Sequence, residues 1–194
     1  MPRARPRMLQ RRTIYDGRIF RIERDLVTLP GGRTAPMEAV RHRGSVVLIP
    51  QPAGGQVILI RQYRYVIGQW IWELPAGSLE PGEPPARAAR RECQEEIGWR
   101  PTTVRRLGVY YPSPGFCDER MIFFHCTGLT RPSRPLSADP DERIEPRVFS
   151  IEDVWTLIAR RDVVDMKTIV GLTLLDRGAA GRRRLSGSRS VRRD

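Results

Sequence analysis

Residues 77–99 read GSLEPGEPPARAARRECQEEIGW, and the way this stretch folds decides the rest of the chain. Pro84 and Pro85 can stand only before or within the first turn of a helix, where a missing N–H costs nothing. Glu83, just ahead of them, suits the positive end of the helix dipole, and Gly98 suits the left-handed residue that closes a helix. Between these marks Ala86, Ala89, Cys93 and Ile97 recur at three- and four-residue steps, which makes a narrow apolar stripe. At about 100° per residue, Glu92 and Glu96 fall roughly 40° apart on the flank of that stripe, while Glu95 turns further round toward Arg91. Two carboxylates at i and i+4 beside a buried face repel each other unless something neutralises them. A hard divalent cation would do so, and Mg²⁺ is the usual ion where phosphate is the other partner. The same letters also allow a solvated helix paired along its surface, Arg91 with Glu95.

Working outward, 194 residues suffice for one domain with a real core and are too few for two large ones. No run approaches the ~20 apolar residues of a membrane helix. The basic start, MPRARPRMLQRR, is followed by no apolar stretch, so it does not read as a secretory signal. Cys93, Cys117 and Cys126 are odd in number, lack zinc-site spacing and suit a reducing cytoplasm. The net charge of +12 sits mostly at the ends. Residues 1–12 hold five arginines and no acid, and residues 181–194 hold six arginines and one aspartate, which leaves about +2 for the rest. Both ends are poor in apolar residues and read as disordered tails, residues 1–12 and 179–194. Specific nucleic-acid binding is therefore not expected, although weak attraction to polyanions is.

Residues 14–29 alternate partially around a turn at Asp16-Gly17, Pro30-Gly31-Gly32 makes a second turn, and residues 34–42 return as a strand. An antiparallel hairpin unit over residues 13–43 is expected, too small to bury its own faces. The main domain then covers residues 44–178. Residues 45–50 and 56–62 are short β-branched runs about Pro52-Ala53-Gly54-Gly55, read as a core hairpin. Residues 70–74 lead as a strand into Pro75, and residues 104–111, 121–129 and 145–149 follow as strands. Residues 131–141 are a polar, proline-rich loop, and residues 151–160 and 166–175 read as helices. Such intermixing predicts an α/β domain with a mixed sheet between helical layers.

Gly77, Glu83, Arg91-Glu92-Cys93, Glu95-Glu96 and Gly98-Trp99 match every fixed position of the Nudix box, G-x5-E-x7-R-E-U-x-E-E-x-G-U. The chain thus resembles the Nudix hydrolases, which cleave a nucleoside diphosphate linked to another group. The resemblance covers residues 14–176 and implies an α/β/α sandwich. Trp72-Glu73-Leu74-Pro75-Ala76-Gly77 is similar to the E-L-P-A-G run of ADP-ribose pyrophosphatases, and Ser113-Pro114-Gly115 to their Ser-Pro-Gly. From that likeness follow Mg²⁺ (two or three ions, with Mn²⁺ as a substitute) and metal ligands at Ala76 (through its carbonyl), Glu92, Glu96 and Glu142. It also implies substrate contacts at Arg61, Arg64, Glu73 and Pro114, with Arg91 and Glu95 among the catalytic residues. Arg91 is read as orienting carboxylates. Glu83 is either a ligand through water or an anchor at the helix start. Tyr15 or Phe20 stacks the adenine, supplied across a homodimer that exchanges its N-terminal hairpins.

The expected reaction is hydrolysis of ADP-ribose to AMP and ribose 5-phosphate. Two other readings are a GDP-mannose or other nucleoside-diphosphate-sugar hydrolase, and a non-catalytic Nudix module that binds nucleotide or RNA. The chain departs from the family before its last strand, where the relatives carry Glu-x-Glu and this sequence reads Ala138-Asp139-Pro140-Asp141-Glu142-Arg143-Ile144. Aligned on Ile144, Pro140 stands where the general base should, and proline accepts no proton. The base is then Glu142 by preference, with Asp139, Asp141 and Glu119 as the other carboxylates in reach of the role.

Overall fold

The structure, a computed structural model, describes residues 5–133 and 143–187, those beyond residue 176 by backbone alone. In chain order the elements are β1 (Arg7–Asp16), β2 (Phe20–Thr28), β3 (Thr34–His42), β4 (Ser45–Pro50), β5 (Gln56–Arg64), β6 (Gln69–Glu73) and β7 (Ala76–Ser78). There follow α1 (Pro85–Ile97), β8 (Arg100–Tyr110), β9 (Met121–Thr130), β10 (Ile144–Ser150), α2 (Ile151–Ala159) and α3 (Met166–Gly187). They form three sheets, ordered β1-β2-β3, β10-β5-β6 and β7-β4-β9-β8. The last is mixed, because β4 runs parallel to β9 from Ser45↔Met121 to Pro50↔Cys126.

β4 explains the layering. All six of its residues are buried, as expected of a strand covered on both faces. Val46 and Leu48 turn to one side and pack with Ala88, Ala89, Cys93 and Ile97 of α1. Val47 and Ile49 turn to the other and pack with Val154 of α2 and with Leu172 and Leu175 of α3. β5 divides in the same way, Ile58 and Ile60 joining the α1 side and Val57 and Leu59 the α3 side. The result is the α/β/α sandwich that the sequence led us to expect.

The β4–β5 hairpin does not form. β4 lies between β7 and β9, whereas β5 lies between β10 and β6 in a different sheet. A strand apolar on both faces carries no alternation to say which neighbour it takes, and residues 51–55 carry the chain from one sheet to the other.

The N-terminal unit is longer than the hairpin read from sequence. β1 begins at Arg7, so residues 7–12, expected in a disordered tail, pair with β2 in the register Arg7↔Thr28 to Asp16↔Arg21. β1 is exposed along its length and so shows no apolar alternation. Its charge has a structural use instead. Arg11 lies 3.0 Å from Asp25 and 3.1 Å from Glu23, two carboxylates buried on β2. At the other end, residues 179–187, also expected in a tail, continue the backbone of α3. Among the described residues no helix is long and apolar enough to cross a membrane.

The N-terminal sheet is fastened to the sandwich by the loop between β8 and β9. Val40 N donates to Phe116 O at 2.7 Å and Asp118 N to Val40 O at 3.1 Å. The Asp118 carboxylate accepts from His42 N at 2.9 Å and from Arg41 at 3.3 Å. Asp118→Ala removes both of the last contacts and leaves the sandwich core intact. Amide exchange in residues 34–42 is expected to speed up at least about tenfold, equivalent to about 1.4 kcal/mol of local opening, with β4 and β9 unchanged. Hydrogen-exchange mass spectrometry reads both at once.

Candidate active site

α1 is set by its ends. Pro84 is extended at the N-cap, Pro85 takes the first helical position, and Gly98 closes the helix at φ 68°, a conformation that costs glycine nothing. Ala88, Ala89, Cys93 and Ile97 are buried beneath it, which is the stripe read from the sequence with Ala88 added and Ala86 only partly buried at its edge. Burial pushes the Cys93 thiol up and that of Cys126 up to about 12, as expected of thiols packed in the core.

Beside this stripe the carboxylates gather on one arginine. Arg91 donates to both oxygens of Glu83, at 3.1 and 2.9 Å, and to Glu92 and Glu95 at 2.8 Å each. It also reaches Ser78 O at 3.3 Å. The surface pair Arg91–Glu95 therefore exists, but as one arm of a shared contact. The paired hydrogen bond with Arg91 lowers the Glu83 pKa, and that with Glu83 raises the Arg91 pKa. Glu83 is thus an anchor for Arg91, and Arg91 an orienter of carboxylates. Glu96 is tied separately, accepting from Ala76 N at 2.9 Å. Glu92 and Glu96 are both buried at 8% exposure, on the side of α1 that faces β7. Gly77 makes that approach possible, because a Cβ there would stand 2.0 Å from the Glu92 carboxylate carbon.

Arg91, Glu92, Glu95 and Glu96 line a cleft of about 350 Å³ together with Ala76, Glu80, Arg18 and Arg43. Among the described residues no three His, Cys, Asp or Glu side chains converge into a cage for a metal ion. An open wall of carboxylate and carbonyl oxygens nevertheless fits a hard divalent cation that keeps much of its water and shares phosphate oxygens with a substrate. Glu92, Glu96 and Ala76 are among the residues that line that wall.

Other residues read from the sequence lie elsewhere. Glu73, expected to meet substrate, is 1% exposed, with one oxygen held by Arg64 at 2.7 Å and the other by Lys167. A carboxylate so enclosed between two cations has no face left for a ligand. Burial works most strongly against the Arg64 charge, but the hydrogen bond to Glu73 together with the charges of Glu73, Glu96 and Asp165 raises the Arg64 pKa on balance. Arg61, three residues back on β5, points to the opposite face and lies over the Trp70 ring at 5.6 Å. Neither arginine lines the cleft. Pro114 is exposed in a turn where Phe116 N and Cys117 N both bond Ser113 O. Glu119 accepts from Ser45 Oγ at 2.8 Å and does not line the cleft. Tyr15 and Phe20 are exposed partners, their ring centroids 5.8 Å apart. Glu142, with Asp139, Pro140 and Asp141, lies outside the described residues.

Arg18 and Arg43 were not singled out in the sequence. They flank the Asp16-Gly17 turn and Gly44, where no periodicity marks them among 33 arginines, and only the docking of the N-terminal sheet brings them to the same cleft as the carboxylates.

A family profile described as the NUDIX domain matches residues 40–169. The chain is 33% identical over 162 residues to an ADP-ribose pyrophosphatase of Bacillus subtilis (strain 168), spanning 84% of this chain and 88% of that protein. It is 34% identical over 161 residues to an ADP-ribose pyrophosphatase of Mycobacterium tuberculosis (strain ATCC 25618 / H37Rv), spanning 82% and 78%. A crystal structure of an ADP compounds hydrolase superposes with a TM-score of 0.82 at 21% identity over 94% of this chain and 98% of that one, a likeness of fold.

The Arg91 contacts carry a pH signature. The folded pKa of Glu83 lies below its ordinary 4.5, so its stabilising effect is complete above that value and is lost as pH falls through the folded one. Arg91→Met is expected to cost about 2 kcal/mol at pH 7, the scale of lost charge-assisted hydrogen bonds. Denaturant titrations from pH 7 to pH 3 should show the gap to wild type closing only below about pH 4.5.

Proposed function

The chain belongs to the NUDIX family, and from that premise we propose that it hydrolyses the diphosphate bond of ADP-ribose, giving AMP and ribose 5-phosphate. The observation that carries this reading is one cleft lined both by oriented carboxylates and by Arg18 and Arg43. A diphosphate needs both, acids to hold its counter-ions and guanidinium groups to take its free oxygens in paired hydrogen bonds.

Mg²⁺, as two or three ions with Mn²⁺ as a substitute, would neutralise the diphosphate and lower the pKa of the attacking water. Glu92, Glu96, the Ala76 carbonyl and Glu142 are the proposed ligands. The chain's own residues do the rest. Arg91 keeps Glu92 and Glu95 aimed into the cleft, and Glu83 keeps Arg91 in place. Arg18 and Arg43 draw the diphosphate down onto the carboxylates. Glu142 is the proposed general base, preferred over Glu119, whose carboxylate is engaged by Ser45.

A homodimer with exchanged N-terminal sheets completes the proposal, working in a reducing cytoplasm. It is supported by the exposed apolar side chains on that sheet, among them Met8, Leu9, Ile14 and Met37, and by the free thiols. Tyr15 or Phe20 of one subunit would stack the adenine held by its partner.

Steady-state kinetics with Mg²⁺ on ADP-ribose, GDP-mannose and nucleoside triphosphates test the substrate. The highest kcat/KM is expected for ADP-ribose, and a higher value for GDP-mannose would transfer the protein to the sugar-nucleotide reading. Glu96→Gln keeps the shape and deletes the charge, so kcat should fall about 10²–10³-fold in a folded protein. Near-normal turnover by that variant would remove α1 from the mechanism.

A further inference from the structure

Glu73 closes β6 and Ala76 opens β7, and these strands belong to different sheets. Leu74 and Pro75 alone carry the chain across. So short a crossing cannot satisfy its own backbone groups, and three of the groups at it find partners outside it. Leu74 N donates to Thr168 Oγ1 at 2.8 Å, Leu48 N donates to Pro75 O at 2.9 Å, and Ala76 N donates to Glu96 at 2.9 Å. Pro75 has no N–H to satisfy.

Much of this support comes from the start of α3. Asp165 caps the helix, accepting from Thr168 N at 2.9 Å and from Thr168 Oγ1 at 2.7 Å, which aims the hydroxyl oxygen at Leu74. Lys167 bonds Oε2 of Glu73 and lies 3.1 Å from Asp165. One turn on, Gly171 lets Leu74 close against the helix, since a Cβ there would stand 2.4 Å from Leu74 Cδ1. Thr168 is 0% exposed and Lys167 8%. Filling the same space with apolar side chains would avoid the desolvation of two acids and two cations. What the charges add is direction.

We propose that Lys167 and Thr168 are positioning residues for the cleft, holding the crossing so that the Ala76 carbonyl stands beside Glu92 and Glu96 where a divalent cation binds. This rests on the reading of the cleft as a metal site. Neither residue touches substrate. Their effect passes through Glu73 and Leu74 to Ala76, whose N–H is in turn held by Glu96.

The test uses full-length protein and Mn²⁺ alone as the probe, its affinity followed by electron paramagnetic resonance, with kcat, KM and Tm measured alongside. Thr168→Val keeps the volume and removes the acceptor for Leu74 N. Lys167→Met keeps the stem and removes the charge, and Thr168→Val carries the test if that variant does not fold. Leu175→Ala, in the same helix but packed only in the apolar layer, is the control for simple loss of stability. Thr168→Val and Lys167→Met are expected to weaken Mn²⁺ binding about 10–100-fold, the range for groups that orient metal ligands, with kcat falling and KM changing much less. Thr168→Ser restores the hydroxyl and should stay within about twofold of wild type. Leu175→Ala should lower Tm as far and leave Mn²⁺ affinity alone. Wild-type Mn²⁺ affinity in folded Thr168→Val, or an equal loss in Leu175→Ala, overturns the proposal. If wild-type protein itself takes up no Mn²⁺, the metal reading fails first and the positioning role with it.

Discussion

Everything in the cleft depends on one guanidinium. Arg91 is shared by Glu83, Glu92 and Glu95, three carboxylates that would otherwise repel one another across one short helix. The planar fork of arginine is what makes this possible, because its nitrogens bond in several directions within one plane while the charge stays delocalised. A lysine could balance the charge but could not hold two carboxylates in fixed orientations. Because Glu83 takes Arg91 in a paired contact from outside the helix, the guanidinium is also tied to the start of α1. The side chains aimed into the cleft are therefore set by the helix terminus as much as by their own rotamers.

The second constraint is how closely α1 approaches β7. Glu92 occupies the space where a side chain on Gly77 would be, and Glu96 takes the N–H of Ala76. Helix and strand are joined through the same acids that the chemistry needs. The cleft thus trades some stability for geometry, since buried carboxylates are costly wherever they are not paired. The pairing is provided by Arg91 on one side and by a backbone N–H on the other. The buried Glu73 lies behind this wall, held between Arg64 and Lys167, and braces the crossing between the sheets rather than facing the cleft.

The third element is the N-terminal sheet, which supplies the basic wall. It has little apolar interior of its own, and its order comes from charge, with Arg11 and Arg41 on Glu23 and Asp25. Its attachment runs through Val40, Arg41 and His42 to the loop carrying Phe116 and Asp118. The Ser113-Pro114-Gly115 turn lies in that loop, so a segment first read as meeting substrate has a structural task in fastening the basic wall to the acidic one.

The local plan of the site was legible in the sequence, because a helix with proline at its first turn, glycine at its end and acids at i and i+4 follows from backbone sterics and from the period of the helix alone. The apolar stripe on Cys93 and Ile97 could be read in the same way, while Arg91 as an orienter and the α/β/α layering followed from the resemblance to the Nudix hydrolases. What could not be read were relations between distant segments. Two strands buried on both faces carry no mark of which sheet they join, so β4 and β5 were paired wrongly. An exposed, arginine-rich strand lacks alternation, so the first half of β1 looked like a tail. Glu73 reads equally well as a ligand or as a buried acid until Lys167, 94 residues later, is brought to it. Arg18 and Arg43 acquire a role only when the N-terminal sheet docks. Helix ends, turns and periodic faces are decided within a few residues, where sterics and hydrogen bonding act locally. Which buried charge meets which partner depends on the path of the whole chain, and only the tertiary structure decides it.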